Sequence, residues 1–365
     1  MPLPNMLRFN QGSAIMPAIA AHSSPRTTRC RTGWIAAALT TAILAPACAS
    51  AQNATEAFAG KSLTVVIGFG TGGGYDLWGR TLARHIGRHL PGRPAVVAQN
   101  ILGAGSLNAA NHLYAVAPRD GTTIGIIARD AVLAPLFGQR GARFDATKFS
   151  WIGSPTMEIN VCVVHHTARV QSLDALMHDE LIVGATGFGS GGSLYPRGLN
   201  ALIGTRFKLI TGFASSSDVF LAMERGEIEG SCDSLDSITG KRPQWLTSGQ
   251  AKILLHGGTE RLLKDAPFVL DRARNDEERR ALSLLYAGQG FGRPFLAPPD
   301  LPPERLQMLR DAFDATIKDP AFAEDVRQQR LGIDPRTGRE LAALATSIYA
   351  TPKAIVDKVA KLINP

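Results

Sequence analysis

The chain has 365 residues, of which 45% are hydrophobic and 19% charged, with 39 basic against 31 acidic side chains and a formal net charge of +8. That length exceeds what one hydrophobic core usually organises, so two lobes are expected. The charge is too mild and too dispersed for a nucleic-acid footprint, and no nucleic-acid partner is expected.

The first fifty or so residues read as an export signal rather than fold. Arg26, Arg29 and Arg31 precede the apolar run Trp34–Pro46, and Cys48-Ala49-Ser50-Ala51 then offers an A-x-A cleavage site before Gln52. A membrane span needs about 20 apolar residues, so the run is too short for an anchor. Residues 1–51 are therefore expected to leave as a signal peptide, and the protein to reach the periplasm. This leader holds four arginines and no acid, so half of the formal charge leaves with it. The remaining mild positive charge suits an anionic ligand arriving by diffusion. Only Cys162 and Cys232 remain beyond the leader. In an oxidising compartment they permit one disulfide, and two separate buried thiols are the alternative.

Beyond Lys61 the pattern alternates. A strand is expected at Leu63–Gly68, then a helix from Leu77 to about Leu90, with Trp78, Leu82, Ile86 and Leu90 recurring at spacing four. A strand follows at Ala95–Ala98, then Gly103-Ala104-Gly105 with Ser106 as the N-cap of a second helix. The turn Pro118–Gly121 leads into a strand at Thr123–Ala128, which completes a βαβαβ unit. The rhythm restarts after Trp151-Ile152-Gly153. Strand Val161–Val164, a helix capped near Ser172, strand Leu181–Ala185, a helix over Leu194–Ile203, strand Phe207–Thr211, helix Asp218–Arg225 and a strand around Ile228 come next. Ile253–His256 reads as a further strand of the first sheet. Beyond Pro298-Pro299 the pattern is helical.

The most telling feature is a glycine loop that occurs twice. Gly68-Phe69-Gly70-Thr71-Gly72-Gly73 and Gly187-Phe188-Gly189-Ser190-Gly191-Gly192 each follow an apolar strand and open a helix. Such a turn leaves backbone N–H groups unpaired at the positive end of the helix dipole, which holds an anion without a lysine or arginine. A dinucleotide site also wants an acidic residue about 20 positions on. Here the following strands end in Gln99-Asn100 and Thr211-Gly212, so no dinucleotide, and no cofactor, is expected. Asp76 reads as an N-cap and as a carboxylate facing the same cavity. His85 and His89 share a helix face, but Ile86 stands where a zinc protease needs glutamate, and a solvated face is expected. Cys162, His165 and His166 lack a fourth ligand, so no metal is expected. Ser190 lacks the glycine two residues before it that a nucleophile elbow requires, and reads as a hydroxyl donating to an anion.

Taken in order, V-I-G-F-G-T-G-G-G-Y-D (Val66–Asp76), Q-N-I-L-G-A-G-S (Gln99–Ser106), A-P-R-D-G-T (Ala117–Thr122), the strand Leu181–Ala185 with its G-x-G-S loop, and G-R-P-F-L-A-P-P (Gly292–Pro299) resemble the tripartite tricarboxylate transporter solute receptors, also called the Bug family. The resemblance implies an α/β protein with the two-lobe type II periplasmic binding protein (Venus flytrap) fold, with parallel-sheet cores and two crossing hinge strands. It implies residues 52–160 and 234–365 in lobe 1 and 161–233 in lobe 2. The hinge strands would carry Cys162 and Cys232 side by side, where they would pair. It further implies a non-enzymatic, monomeric receptor that holds a small organic carboxylate for the membrane components of a tripartite transporter. Carried over by position, the ligand-binding residues are Gly70, Thr71, Gly72, Gly73, Gly74, Tyr75 and Asp76 in the first loop, with Thr186, Gly187, Gly189, Ser190 and Ser193 in the second. Arg129, just past the third strand, is a further candidate charge. Two positions depart from the family pattern: Tyr75 replaces a threonine, and the second loop is poorer in polar residues. A sensor subunit for a signalling kinase shares the same fold, and an exported hydrolase using Ser190 is the enzymatic alternative.

Overall fold

A computed structural model describes Phe58 and residues 60–363; the expected signal peptide and its cleavage site lie outside the described residues. Two sheets organise them. The first contains β1 (Leu63–Ile67), β2 (Val96–Asn100), β3 (Thr123–Ile126), β4 (Ser150–Ser154), β10 (Phe295–Ala297) and β11 (Arg336–Thr337), in the order β11-β4-β10-β3-β1-β2. The second contains β5 (Asn160–His165), β6 (Leu181–Ala185), β7 (Phe207–Thr211), β8 (Gly230–Ser234) and β9 (Ala251–Gly257), in the order β7-β6-β8-β5-β9. Each sheet has a parallel half, β2-β1-β3 and β7-β6-β8, and an antiparallel edge.

Strands β1, β3 and β6, inside the parallel halves, are mostly buried runs, as expected where both faces of a sheet are covered, whereas the outer strands β2 and β7 are partly exposed. Leu63, Val65 and Ile67 pack with Trp78, Leu82 and Ile86 of helix α1 (Gly74–Ile86), and with Phe313 and Phe322 from beyond β10. Helix α2 (Leu107–Ala115) follows β2. In the second sheet Val161 and Val163 pack with Val219 and Phe220 of helix α4 (Ser216–Glu224), and with Trp245. The largest buried cluster runs between the sheets, from Val66 and Leu107 through Cys162 and Val183 to Leu199 of helix α3 (Gly191–Ile203).

The structure corrects four expectations. Ile253–His256 belongs to the second sheet, where β9 pairs antiparallel with β5, and not to the first. Ser106 stands at the N-cap of α2, but its hydroxyl accepts from the Ala128 N–H at 3.0 Å instead of capping the helix. Asp76 is not the N-cap of α1; that position is Gly73, and the Asp76 carboxylate reaches back from the first turn to the Gly72 N–H. His85 and His89 do not form a solvated face, because their rings meet Asp325 and Asp319, each at 2.9 Å. Those two acids pin α1 and the turn after it to a late helix, Pro320–Gln328, of which Asp319 is the N-cap.

The chain crosses from the first sheet to the second between Ser154 and Asn160, and β8, antiparallel to β5, ends beside that crossing. Asn160 is the register partner of Ser234, Val161 of Asp233, and Cys162 of Cys232, so the two cysteines sit side by side two pairs in from the crossing. They form a disulfide that closes a separation of 70 residues. A loop of that length is worth about 4 kcal/mol in the chain-entropy model. Non-reducing peptide mapping is expected to recover the Cys162 and Cys232 peptides linked, and reduction to lower the unfolding free energy by about that amount. Two alkylatable thiols in the unreduced protein would contradict the assignment.

Candidate functional site

Both glycine loops end on one cavity between the sheets. Gly73 and Gly74 at the start of α1, and Ser190, Gly191 and Gly192 at the start of α3, line it together. Neither helix has a side-chain cap: Gly73 and Ser190 occupy the N-cap positions without one. The first N–H groups of both helices therefore point outward with no intrahelical acceptor, each at the positive end of its dipole. The cavity is small, about 50 Å³, room for on the order of four waters.

Its size reflects how closely the loops meet. The Gly70 N–H donates to the Ala214 carbonyl at 3.0 Å, and Ser217 Oγ donates to the Gly72 carbonyl at 2.7 Å. On the other side, loop 103–106 touches loop 187–190 backbone to backbone. A Cβ on Gly105, whose φ is +65°, would lie 2.4 Å from the Ser190 nitrogen, and one on Gly187 would lie 2.4 Å from the Gly105 nitrogen. No side chain larger than hydrogen fits there without moving the loops apart.

Beneath the loops lies a buried ion cluster. Arg129, at the end of β3, and Arg293, just before β10, line the cavity and are 4% and 1% exposed. Both guanidinium groups ion-pair with Glu158, which sits on the segment crossing between the sheets. Arg293 also donates to Ser234 Oγ at 2.7 Å and Ser237 Oγ at 2.9 Å, at the end of β8, so one guanidinium ties the crossing segment to the strand end beside it. Asp130 accepts from the Tyr195 hydroxyl, which accepts from Gln289 Nε2. Burial raises the Asp130 and Asp233 carboxyl pKa values against the pull of Arg129 and Arg293. Asp236, in the first turn of helix Leu235–Lys241, is pushed up to about 7 by burial and by neighbouring Glu158.

The sequence candidates divide between cavity wall and support. Gly73, Gly74, Tyr75, Arg129, Thr186 and Ser190 line the cavity. Tyr75 stacks on Phe69 with ring centroids 4.6 Å apart, carries the Arg293 guanidinium 4.1 Å from its ring centroid, and accepts the Arg129 N–H on its hydroxyl at 3.0 Å. Gly70, Gly72, Gly187 and Gly189 form the loop contacts instead, and Thr71 is exposed. Asp76 is turned away, bonded to Arg80 and Asn100. Ser190 Oγ donates to the Gly187 carbonyl at 2.7 Å, so it is paired with an acceptor of its own loop and not with a base. Ser193 is buried in the first turn of α3. Among the described residues no cluster of three or more His, Cys, Asp or Glu is placed to hold a metal ion.

Sequence reading missed Glu158, Asn160, Asp233 and Arg293. Only Arg293 carried a signal, as the lone charge inside the apolar G-R-P-F-L-A-P-P stretch. A second, wider cavity of about 320 Å³ opens near Glu158 and Gln289. The helix N-terminus beside it, at Gly338, is already closed by the Thr337–Glu340 capping box.

No protein-family model matches the sequence. No curated relative matches it either. Solved structures do match the fold. MatC from Rhodopseudomonas palustris with bound malate is 19% identical with a TM-score of 0.64, covering 81% of this chain and 98% of that one. This is the two-lobe periplasmic solute-binding protein fold. Another R. palustris protein, solved with adipate, has the same fold at 20% identity, a TM-score of 0.62 and coverage of 83% and 97%. So does a TctC solute-binding protein from Polaromonas, at 19% identity, a TM-score of 0.54 and coverage of 81% and 98%.

Two predictions follow from the ion cluster. Glu158→Gln leaves two buried guanidinium groups without their counter-charge, so chemical denaturation is expected to show a loss of about 3–5 kcal/mol; a loss below about 1 kcal/mol would contradict the role given to Glu158. Asp236 holds its proton more tightly folded than unfolded, so its contribution to stability is complete below about pH 4 and lost as the pH rises to about 7. Asp236→Asn is expected to remove a downward slope of up to about 1.4 kcal/mol per pH unit over that window. An unchanged stability profile would contradict the burial of this carboxyl.

Proposed function

We propose that this protein is an exported, non-enzymatic receptor that captures a small organic carboxylate between two lobes and delivers it to a membrane transporter of the tripartite tricarboxylate type. The observation that carries the reading is the convergence of two uncapped helix N-termini, from different sheets, on one cavity floored by two arginines. Neither helix alone encloses an anion, and each sheet supplies one half of the clamp. That proteins of the same fold were solved with malate and adipate supports the ligand class. The lobes are assigned to residues 52–160 with 234–365, and to 161–233, with strand β9 lent to the second sheet. The assignment includes export to the periplasm by the expected leader and action as a monomer.

The energetics suffice. A micromolar receptor needs about 8 kcal/mol. Hydrogen bonds to a charged group contribute roughly 1.5–3 kcal/mol each, so four or five N–H donors from the two loops supply it. Ligand at about 100 times its dissociation constant adds about 2.7 kcal/mol of stability. A thermal-shift panel of di- and tricarboxylates, aromatic acids and acidic amino acids on protein stripped of bound ligand is expected to show a rise of several degrees for the cognate acid. If no carboxylate raises the melting temperature, the receptor reading is wrong.

A further inference from the structure

The cavity wall holds acceptors as well as donors, and one of the acceptors has no partner of its own. Asn160, at the start of β5, lines the cavity and is fully buried. Its Nδ2 donates to the Asp233 carbonyl at 3.2 Å. A carbonyl accepts only from the NH₂ side of an amide, which fixes the side-chain orientation and leaves Oδ1 as the remaining group. That oxygen is buried and has no hydrogen-bond partner among the described residues. Asp233, across the β5–β8 pair, lines the same cavity. Its carboxylate accepts one bond, from the Ser234 N–H at 2.7 Å, and makes no ion pair among the described residues, although Arg129 and Arg293 line the same cavity.

The Asn160 oxygen can only accept, and so can the Asp233 carboxylate in its ionised form, which a ligand cation favours. A ligand that is nothing but carboxylate and hydrocarbon brings no donor to them, and leaving a buried acceptor unmatched costs about 1–3 kcal/mol. A ligand hydroxyl brings one donor, and an ammonium brings three together with a charge opposite to that of Asp233. We infer that the ligand of this site is a carboxylic acid carrying an ammonium group, an amino acid, with its carboxylate on the two helix N-termini and its ammonium on Asn160 and Asp233. The inference rests on the receptor reading above and narrows its ligand class. Asp233 is the specificity-determining residue: it separates amino acids from unsubstituted acids of the same length.

The test is calorimetric titration with matched series on ligand-stripped protein: succinate, malate and aspartate, then glutarate and glutamate. At least one amino acid is expected to bind ten times or more tighter than its unsubstituted parent, with the hydroxy acid between. Asp233→Asn is expected to cut that lead at least fivefold. Succinate and glutarate binding as tightly as aspartate and glutamate would overturn the inference and leave the receptor reading standing. Binding of none of the five would overturn the inference, and the wider acid panel above then decides the receptor reading. A lead that survives intact in folded Asp233→Asn would overturn the role given to Asp233. Should that variant fail to fold, the ratio measured on the unaltered protein decides the ligand class by itself.

Discussion

Glu158 is the interaction on which the rest of the architecture depends. It sits on the segment that carries the chain out of the first sheet, and it is gripped by arginines from the ends of two strands of that sheet. A buried pair of guanidinium groups would repel each other and lose their hydration, and only an equally buried carboxylate offsets that. The cluster thus fixes where the chain leaves one sheet. Through the hydroxyls of Ser234 and Ser237 on Arg293, it also holds the end of β8 beside that crossing. These bonds hold the two sheets at the crossing, beside the apolar cluster that runs between them, and they floor the cavity above.

Closing that cavity puts a second demand on the sequence, for glycine. The loops meet on both sides of the cavity, and Gly105 and Gly187 touch backbone to backbone at distances that exclude a Cβ. The same loops leave helix N–H groups unsatisfied, which in a buried setting calls for an anion or water. Glycine here serves approach and donor exposure together. Tyr75 then limits the space, since its ring lies between Phe69 and the Arg293 guanidinium. The disulfide lies just behind, two pairs from the crossing, and holds the two connecting strands in register.

What was legible in the sequence is what local periodicity encodes. The β-branched run Leu63–Ile67, the glycine loop and the apolar spacing of α1 announce a strand, a turn and a helix without outside help, and the second unit repeats the message. Strand β9 was assigned to the wrong sheet because an apolar run such as Ile253–His256 records that it is buried and not which neighbour it joins. His85 and His89 looked solvated because Asp325 and Asp319 lie more than 200 residues away in sequence. Glu158 was invisible because Arg129 and Arg293 reach it only through the fold, and Asp233 because its place in the cavity wall comes from the β5–β8 pairing. A single carboxylate gains its role only from partners that the fold delivers, whereas a glycine loop carries its chemistry in its own backbone.

The measurement that bears most directly on this account is a crystal structure of the protein with its tightest-binding carboxylate. The account predicts carboxylate oxygens within about 2.7–3.2 Å of amide nitrogens from both helix starts, Gly74 or Tyr75 on one side and Gly191 or Gly192 on the other. A ligand bound to one loop alone, or bound outside the cavity above Arg129 and Arg293, would contradict it.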